Sequence, residues 1–299
     1  MDEKNHVAKW LHSVLPVQVF ADAEKYLRTG AKPSAEEIRL RRGRRTELIA
    51  GGTSLLGKSL VNGDALEETL FRICRGSVYA YADSICKGFI RADGGVRVGV
   101  CGSAVTEGGK VRSVYDVSSL NIRLPCAFFP DVSPITSRFS ASDGGILIYS
   151  PPGVGKTTYL RALARDFSGR LGLRTALVDT RGELSAGLCG DDLRLDILDG
   201  YPRGEGIRIA VRTMNPEVLI CDEIGSAEEA SALLEARNCG VPLVASAHGD
   251  SACGLVCRAG IHELYEASVF SLYVGLSRGR NEERCKTEIR TKSEVENDI

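Results

Sequence analysis

The pattern of apolar and polar residues changes character about midway along the chain. In the second half, short continuous apolar runs alternate with segments of helical periodicity. The apolar runs span residues 146–149, 175–178, 218–221 and 243–246. Strands that are apolar at every position are buried on both faces, and their alternation with helices is typical of a parallel sheet covered by helices. We therefore predict an α/β domain here.

The first half has a different pattern, which predicts a smaller mixed domain. Apolar residues at helical spacing predict helices over 7–27, interrupted near Pro16, and over 64–74, with Asp64 as N-cap. Two strands joined by a tight turn are predicted over 37–50, and alternating valines after them predict hairpins. This half therefore reads as an α+β domain.

The boundary between the two halves is predicted from composition. Residues 130–144 are rich in proline, serine and glycine, which is typical of a linker. We therefore expect an N-terminal α+β domain over 1–138 that contacts partners or other subunits. A P-loop domain is expected over 139–299.

Composition and charge narrow the possible partners. The 299 residues are 43% hydrophobic and carry a formal net charge of −1, which gives no overall reason to expect nucleic acid as a partner. Ten cysteines are scattered without a CxxC pair, which favours buried thiols in a reducing compartment over zinc or disulfides. No apolar run is long enough to cross a membrane. We expect a cytoplasmic protein that reaches a membrane only through a partner.

The most informative motif lies directly after the first strand of the second half. Residues 150–158 read Ser-Pro-Pro-Gly-Val-Gly-Lys-Thr-Thr, and a helix is predicted to start at Lys156, which is the context that a phosphate-binding P-loop requires. Lys156 is expected to reach the β- and γ-phosphates, and the Thr157 hydroxyl to bind Mg²⁺. Ser150 replaces the first glycine of the usual motif, and the alternative is an ordinary glycine-rich turn. The predicted nucleotide-binding residues are Pro152, Gly153, Val154, Gly155, Lys156, Thr157 and Thr158.

Two further strand ends carry candidate catalytic residues. Asp222 and Glu223 follow the apolar run 218–221. Asp222 is suited to hold Mg²⁺ and Glu223 to orient and deprotonate a water molecule, whereas the alternative is a solvated acidic turn. His248 follows the run 243–246 and could sense a γ-phosphate, or it could simply be a satisfied core or capping histidine.

Weaker candidates lie elsewhere in the second half. In the segment 178–183, Asp179 or Glu183 could contact the metal or water and Arg181 could contact phosphate, or the segment could be a capped turn. Arginines could also complete the site of a neighbouring subunit in a ring, although each could equally be a solvated surface charge. These arginines are Arg203, Arg208, Arg212, Arg278 and Arg280, with Arg212 and Arg203 as first choices.

Taken together, these phrases resemble the stage III sporulation protein AA family over almost the whole chain. The matching phrases are 36–41, 75–81, 99–102, 118–123, 150–158, 198–202, 212–216 and 221–225. The resemblance implies a RecA-like core related to the hexameric ATPases of type II and type IV secretion. It also implies ATP as the nucleotide and docking on a membrane protein of the mother-cell-to-forespore channel. Arg45 departs from the family pattern, which has proline there.

The resemblance also assigns individual residues. Lys156 and Thr157 match the Walker A positions, and Asp222 and Glu223 match the Walker B pair. Glu183 corresponds to an extra acid after the second core strand, and His248 to a histidine-box residue. The set predicted for catalysis is therefore Glu223, Lys156, His248, Glu183 and Arg212, with Thr157 and Asp222 as Mg²⁺ ligands.

Three functions remain open from the sequence. The leading one is an ATP-hydrolysing motor or assembly ATPase that forms a ring. The second is a nucleic-acid-dependent NTPase, because residues 39–45 contain five arginines, although they lack neighbouring aromatic side chains for base stacking. The third is a nucleotide-regulated scaffold with little turnover, which the presence of both Asp222 and Glu223 disfavours.

Overall fold

The computed structural model describes residues 3–27, 34–125, 129–140, 144–188, 192–224, 227–278 and 285–298. These residues form two compact units, one made of described residues up to 125 and one that begins at 129. The division therefore precedes the predicted boundary at 138/139. The reason is packing, because Val132 and Ile135 are buried in the core of the second unit.

The first unit is a six-stranded antiparallel sheet with helices. Its helices are α1 (Glu3–Val14), α2 (Val17–Leu27), α3 (Gly63–Ile73) and α4 (Ala82–Cys86). Its strands are β1 (Ala35–Arg41), β2 (Arg44–Ala50), β3 (Thr53–Val61), β4 (Phe89–Arg91), β5 (Arg97–Glu107) and β6 (Lys110–Arg123). The strand order is β3-β2-β1-β6-β5-β4. Apolar side chains of the helices and of the sheet form one core, as the predicted α+β pattern requires.

The helix predicted over 64–74 begins differently from the prediction. Asn62, not Asp64, is its N-cap, because the Asn62 side-chain oxygen accepts a hydrogen bond of 2.8 Å from the N–H of Ala65. Asp64 instead lies within the first turn of α3, where its negative charge interacts favourably with the helix dipole.

The second unit contains the remaining elements. Its helices are α5 (Ser133–Thr136), α6 (Lys156–Arg165), α7 (Arg203–Thr213), α8 (Ala227–Asn238), α9 (Ala252–Val256), α10 (Ile261–Glu266) and α11 (Lys292–Glu296). Its strands are β7 (Gly145–Ser150), β8 (Thr175–Asp179), β9 (Leu195–Asp199), β10 (Val218–Glu223), β11 (Leu243–His248), β12 (Phe270–Ser277) and β13 (Lys286–Thr291).

These strands form the predicted parallel sheet. The order is β13-β12-β7-β11-β10-β8-β9, and every neighbouring pair is parallel except β12 with β13. Apolar residues of α6 pack in the core on one face, and those of α7 and α8 pack in the core on the other. Burial on both faces explains why the central strands are apolar at consecutive positions.

A glycine sets the spacing of two central strands. A Cβ atom on Gly145, at the start of β7, would lie 1.9 Å from the carbonyl oxygen of Leu243 in β11. Only glycine fits this approach. From there the two strands run in parallel register until Ser150 lies beside His248.

None of the described helices is long and apolar enough to cross a lipid bilayer.

Candidate nucleotide-binding site

A cleft of about 300 Å³ lies at the carboxyl edge of the parallel sheet. It brings together side chains at or just after the carboxyl ends of β7, β8, β10 and β11, which are far apart in the sequence. The carboxyl edge of a parallel sheet is where α/β proteins bind ligands. The described residues that line the cleft are Gly153, Gly155, Lys156, Thr157, Thr158, Arg181, Glu183, Asp222, Glu223, Ser246 and His248.

The predicted P-loop connects β7 to α6. Gly153 and Gly155 have φ angles of 78° and 123°, a region that favours glycine, so both are needed for the turn. Ser150 is instead the last residue of β7 and pairs with β11 in the regular ladder. Its backbone does not need glycine, which explains why serine is compatible with this first position of the motif.

Lys156 is the first residue of α6, and its side chain is held at the base of the loop. Its Nζ donates hydrogen bonds to the carbonyl oxygens of Ser150, at 3.1 Å, and Pro151, at 3.3 Å. A third contact of 2.8 Å joins Nζ to Nδ1 of His248. Burial lowers the pKa of Lys156 below its ordinary value, and the negative charge of Glu223 opposes that effect.

His248 connects this lysine to the predicted catalytic base. Its Nε2 lies 2.9 Å from Oε1 of Glu223. Because an ammonium group can only donate, Nδ1 of His248 must accept from Lys156, and Nε2 must carry the hydrogen that is donated to Glu223. The geometry therefore assigns a neutral His248 with its proton on Nε2, and it joins three predicted site residues in one hydrogen-bonded chain.

Asp222 has a different partner from its neighbour Glu223. Its Oδ1 accepts a 2.6 Å hydrogen bond from Nε of Arg203 and a second, shorter contact from Nη2. Nη1 of the same guanidinium contacts Glu229 in α8. Burial raises the pKa of Asp222 above its ordinary value, and the charge of Arg203 opposes that rise.

This pairing bears on the prediction for Arg203. Its side chain is only 9% exposed and both of its acidic partners belong to the same chain. These contacts within one chain disfavour Arg203 as the arginine that acts in trans, and that role stays a prediction.

The sequence left open whether Asp179 or Glu183 contributes to the site, and the structure places these two acids differently. Asp179 is fully buried, and its carboxylate oxygens accept hydrogen bonds from the N–H groups of Glu183, at 2.9 Å, and Ser185, at 2.8 Å. Asp179 thus forms the capped turn of the alternative interpretation. That turn presents Arg181 and Glu183 to the cleft.

Comparison with known proteins identifies the family. The family model for Sporulation stage III, protein AA matches residues 22–294. The chain belongs to this family. It is 36% identical over 255 residues to Stage III sporulation protein AA of Bacillus subtilis (strain 168), an alignment that covers 82% of this chain and 83% of that protein.

Solved structures show the fold that this family member shares. The ATPase DotB of Legionella pneumophila superposes with a TM-score of 0.58 at 15% identity, covering 92% of this chain and 81% of its own. The pilus retraction motor PilT, solved with bound ADP, superposes with a TM-score of 0.61 at 12% identity, covering 95% and 86%. The predicted RecA-like α/β fold of the secretion ATPases is therefore confirmed.

The remaining predicted arginines lie away from the described lining of the cleft. Arg212 is exposed in the last turn of α7. Arg208 donates two hydrogen bonds, of 2.9 and 3.1 Å, to Glu235 and so links α7 to α8. Arg278 follows β12 and is exposed, whereas Arg280 lies outside the described residues. A role for Arg212 toward a neighbouring subunit stays a prediction.

Other differences between prediction and structure are smaller. Val154 packs against the apolar core, and Pro152 is exposed outside the described cleft lining, so nucleotide contacts by these two loop residues stay predictions. Ser246 lines the cleft and was not predicted, although its position at the end of an apolar strand could have indicated it. Nothing in the sequence pattern pointed to Glu229.

Three of the five arginines in the basic segment 39–45 pair with acids in the folded first unit. Arg39 pairs with Glu37 at 2.7 Å, and Arg42 pairs with Asp116 at 2.6 Å. Arg41 likewise contacts a carboxylate, that of Glu47. A phosphate backbone would have to compete with these acids, which weakens the nucleic-acid interpretation.

The cleft also fits a magnesium ion by the chemistry of its donors. Mg²⁺ prefers oxygen ligands and binds through one or two protein oxygens together with phosphates and water. The hydroxyl of Thr157 and the carboxylate of Asp222 both line this cleft. These are the two residues predicted to be metal ligands.

Proposed function

We propose that this protein hydrolyses ATP to ADP and phosphate in the cleft at the sheet edge. The observation that carries the proposal is the hydrogen-bonded chain from Lys156 through His248 to Glu223, which lies beside a glycine turn and Asp222. This reaction needs a cation that binds phosphate, a carboxylate that activates water and a carboxylate that binds the metal.

Each side chain has a defined task in the proposed reaction. The loop N–H groups and Lys156 bind the phosphates of ATP, and Lys156 exchanges loop carbonyls for phosphate oxygens when it does so. Thr157 and Asp222 hold Mg²⁺, whose charge offsets that of the phosphate oxygens. Glu223 accepts a proton from water, which attacks the γ-phosphorus as the bond to the β–γ bridging oxygen breaks.

The other residues act around this centre. His248 donates to Glu223 through Nε2 and so orients the carboxylate toward the water. Because Nδ1 of His248 accepts from Nζ of Lys156 at 2.8 Å, His248 is linked through the lysine to the phosphate that the lysine binds, which supports a sensing role. Arg181 and Glu183 line the same cleft and complete its polar wall.

We further propose that the protein works as a homo-oligomer, a hexameric ring, in which Arg212 faces a neighbouring subunit. Membership of a sporulation family supports a role in powering or assembling the mother-cell-to-forespore channel. The shared fold with a protein named as a pilus retraction motor supports a ring that moves or assembles a membrane machine. In this proposal the protein is cytoplasmic, and its first unit docks on a membrane protein of the channel.

The test is ATP hydrolysis by the full chain, with Lys156→Ala and Glu223→Gln as variants. Both variants should lose turnover, and Glu223→Gln should keep nucleotide binding because it preserves the P-loop. Glu235→Gln is a matched acid-to-amide control, since Glu235 pairs with Arg208 outside the cleft. Light scattering with and without ATP would report assembly.

Each other outcome selects a different function. Nucleotide binding without hydrolysis, even with the cytoplasmic segment of a membrane partner present, would favour a regulated scaffold. Turnover that DNA stimulates, with a steep dependence on salt, would favour a nucleic-acid-dependent NTPase. Wild-type protein that binds no nucleotide would refute the use of this cleft altogether.

A further inference from the structure

We infer that Arg203 is a positioning residue for the metal-binding carboxylate of Asp222 and acts within its own subunit. This inference rests on the proposed function, because it assumes that Asp222 holds Mg²⁺. It assigns the guanidinium a task that differs from the charge stabilisation in trans that arginines perform in ring ATPases.

The contacts engage one side of the carboxylate only. Nε and Nη2 of Arg203 both contact Oδ1 of Asp222, and Nε does so at 2.6 Å. Among the described residues, Oδ2 accepts no hydrogen bond. The guanidinium therefore fixes the orientation of the carboxylate while it leaves a second oxygen for a ligand in the cleft.

The side chain of Arg203 is held both at its backbone and at its guanidinium group. Arg203 is the first residue of α7, and this helix lies so close to β8 that a Cβ atom on Gly206 would come within 2.7 Å of Val178. At the other end, Nη1 contacts Glu229 in the first turn of α8. The planar fork of an arginine can span two acids in this way, whereas the point charge of a lysine cannot reproduce both contacts.

A purely structural role is the alternative, since the same contacts join β10, α7 and α8. The chain contains a matched example of that role. Arg208 lies on the same helix and donates two hydrogen bonds to Glu235 of α8, outside the described lining of the cleft. Arg208→Gln therefore removes an equivalent α7–α8 link without changing any partner of Asp222.

The experiment separates magnesium binding from nucleotide binding. Affinity of the full chain for methylanthraniloyl-ADP is measured in EDTA, and MgCl₂ is then titrated into the complex. Replacing an outer partner of a metal ligand typically costs about ten- to a hundredfold in metal affinity. For Arg203→Gln we expect a magnesium midpoint raised at least about tenfold, with ADP affinity in EDTA unchanged within about twofold.

Controls determine whether the effect belongs to Asp222. Arg203→Lys should fall between wild type and Arg203→Gln, because it restores the charge without the fork. Arg208→Gln should keep the wild-type midpoint. The inference is overturned if Arg203→Gln also keeps that midpoint, if Arg208→Gln shifts it equally, or if ADP affinity in EDTA falls by the same factor. Wild-type protein that binds no ADP would instead refute the proposed function.

Discussion

Asp179 offers a direct test of how the cleft is built. Its buried carboxylate accepts the N–H groups of Glu183 and Ser185 and so fixes the turn that presents Arg181 and Glu183. Asp179→Asn keeps the shape but turns one acceptor oxygen into an NH₂ group that faces an N–H. A hydrogen bond to a charged group contributes about 1.5–3 kcal/mol, so we expect the unfolding free energy to fall by about 2–3 kcal/mol. Asp179→Ala removes both bonds and should cost roughly twice as much.

The assay must distinguish the two units. The single tryptophan, Trp10, lies in α1 of the first unit, so its fluorescence reports unfolding of that unit. Circular dichroism reports the unfolding of both units. Urea unfolding followed by fluorescence and by circular dichroism therefore separates a change in the second unit from one in the first. Turnover of ATP, measured where the variant stays folded, should also fall because Arg181 and Glu183 lose their fixed position. Ser168→Ala is a control, since it removes a buried hydrogen bond to Ala164 away from the cleft.

Two results would refute this reasoning. A loss below about 0.5 kcal/mol for Asp179→Asn would mean that the two hydrogen bonds add little to the folded state. A clear loss of stability with wild-type turnover would mean that the turn is structural and that Arg181 and Glu183 do not need it for catalysis.

Two further predictions concern stability. Burial tends to raise the pKa of Asp22, but the hydrogen bonds that its carboxylate accepts from the N–H groups of Lys58 and Ser59 outweigh this and hold the pKa below its ordinary value. Asp22→Ala should therefore lower the free energy of unfolding, measured in urea at neutral pH, by about 1 kcal/mol. This difference from wild type should shrink as the pH falls through the lowered pKa, because the ionised carboxylate stabilises the folded state only above that pKa. A difference that stays constant down to pH 2 would contradict this reasoning. Gly145→Ala should lower the free energy of unfolding by about 3 kcal/mol or more, because its Cβ would overlap the backbone of Leu243. Gly63→Ala is the control and should be well tolerated, since its Cβ would meet only the Arg42 side chain at 3.6 Å. Equal melting temperatures for the two variants would contradict the close approach of β7 and β11.

The sequence predicted the central strands of the parallel sheet better than its edges. β7, β8 and β11 are buried along almost their whole length, so their apolar residues are consecutive and stand out. β9 is the edge strand beyond β8 and is mostly exposed, and its sequence contains two aspartates. β13 forms the other edge, and three of its six residues are charged. Edge strands need no apolar run, so the hydrophobic pattern did not indicate them.

Contiguous motifs also predicted more of the cleft than isolated charges did. The loop 150–158 begins at the end of β7, and the two acids are the last residues of β10, so their place at the sheet edge follows from the order of elements. The contact of Arg203 with Asp222 and Glu229 joins three separate elements. It depends on how α7 and α8 pack, and no spacing in the sequence encodes that packing.

The direction of the helix could nevertheless have indicated which of the two favoured arginines lies beside the cleft of its own chain. A helix that follows a parallel strand begins at the carboxyl edge of the sheet and runs back toward the opposite edge. Arg203 is at the start of α7 and Arg212 is nine residues later, in its last turn, which at 1.5 Å per residue is roughly 13 Å farther along the axis. Topology therefore places Arg203 beside the cleft of its own chain and Arg212 far from it.

The two adjacent acids of β10 have partners of different charge, and this difference supports their separate proposed roles. Asp222 is bound by a guanidinium, which stays positively charged and so favours the ionised carboxylate and fixes its orientation, as suits a metal ligand. Glu223 is bound by an imidazole that must be neutral, because the other nitrogen of that ring accepts from Lys156. A neutral donor orients the carboxylate without cancelling its charge, so Glu223 remains able to take a proton from water. The charge of each partner, and not only the presence of two adjacent acids, therefore distinguishes the proposed metal ligand from the proposed base.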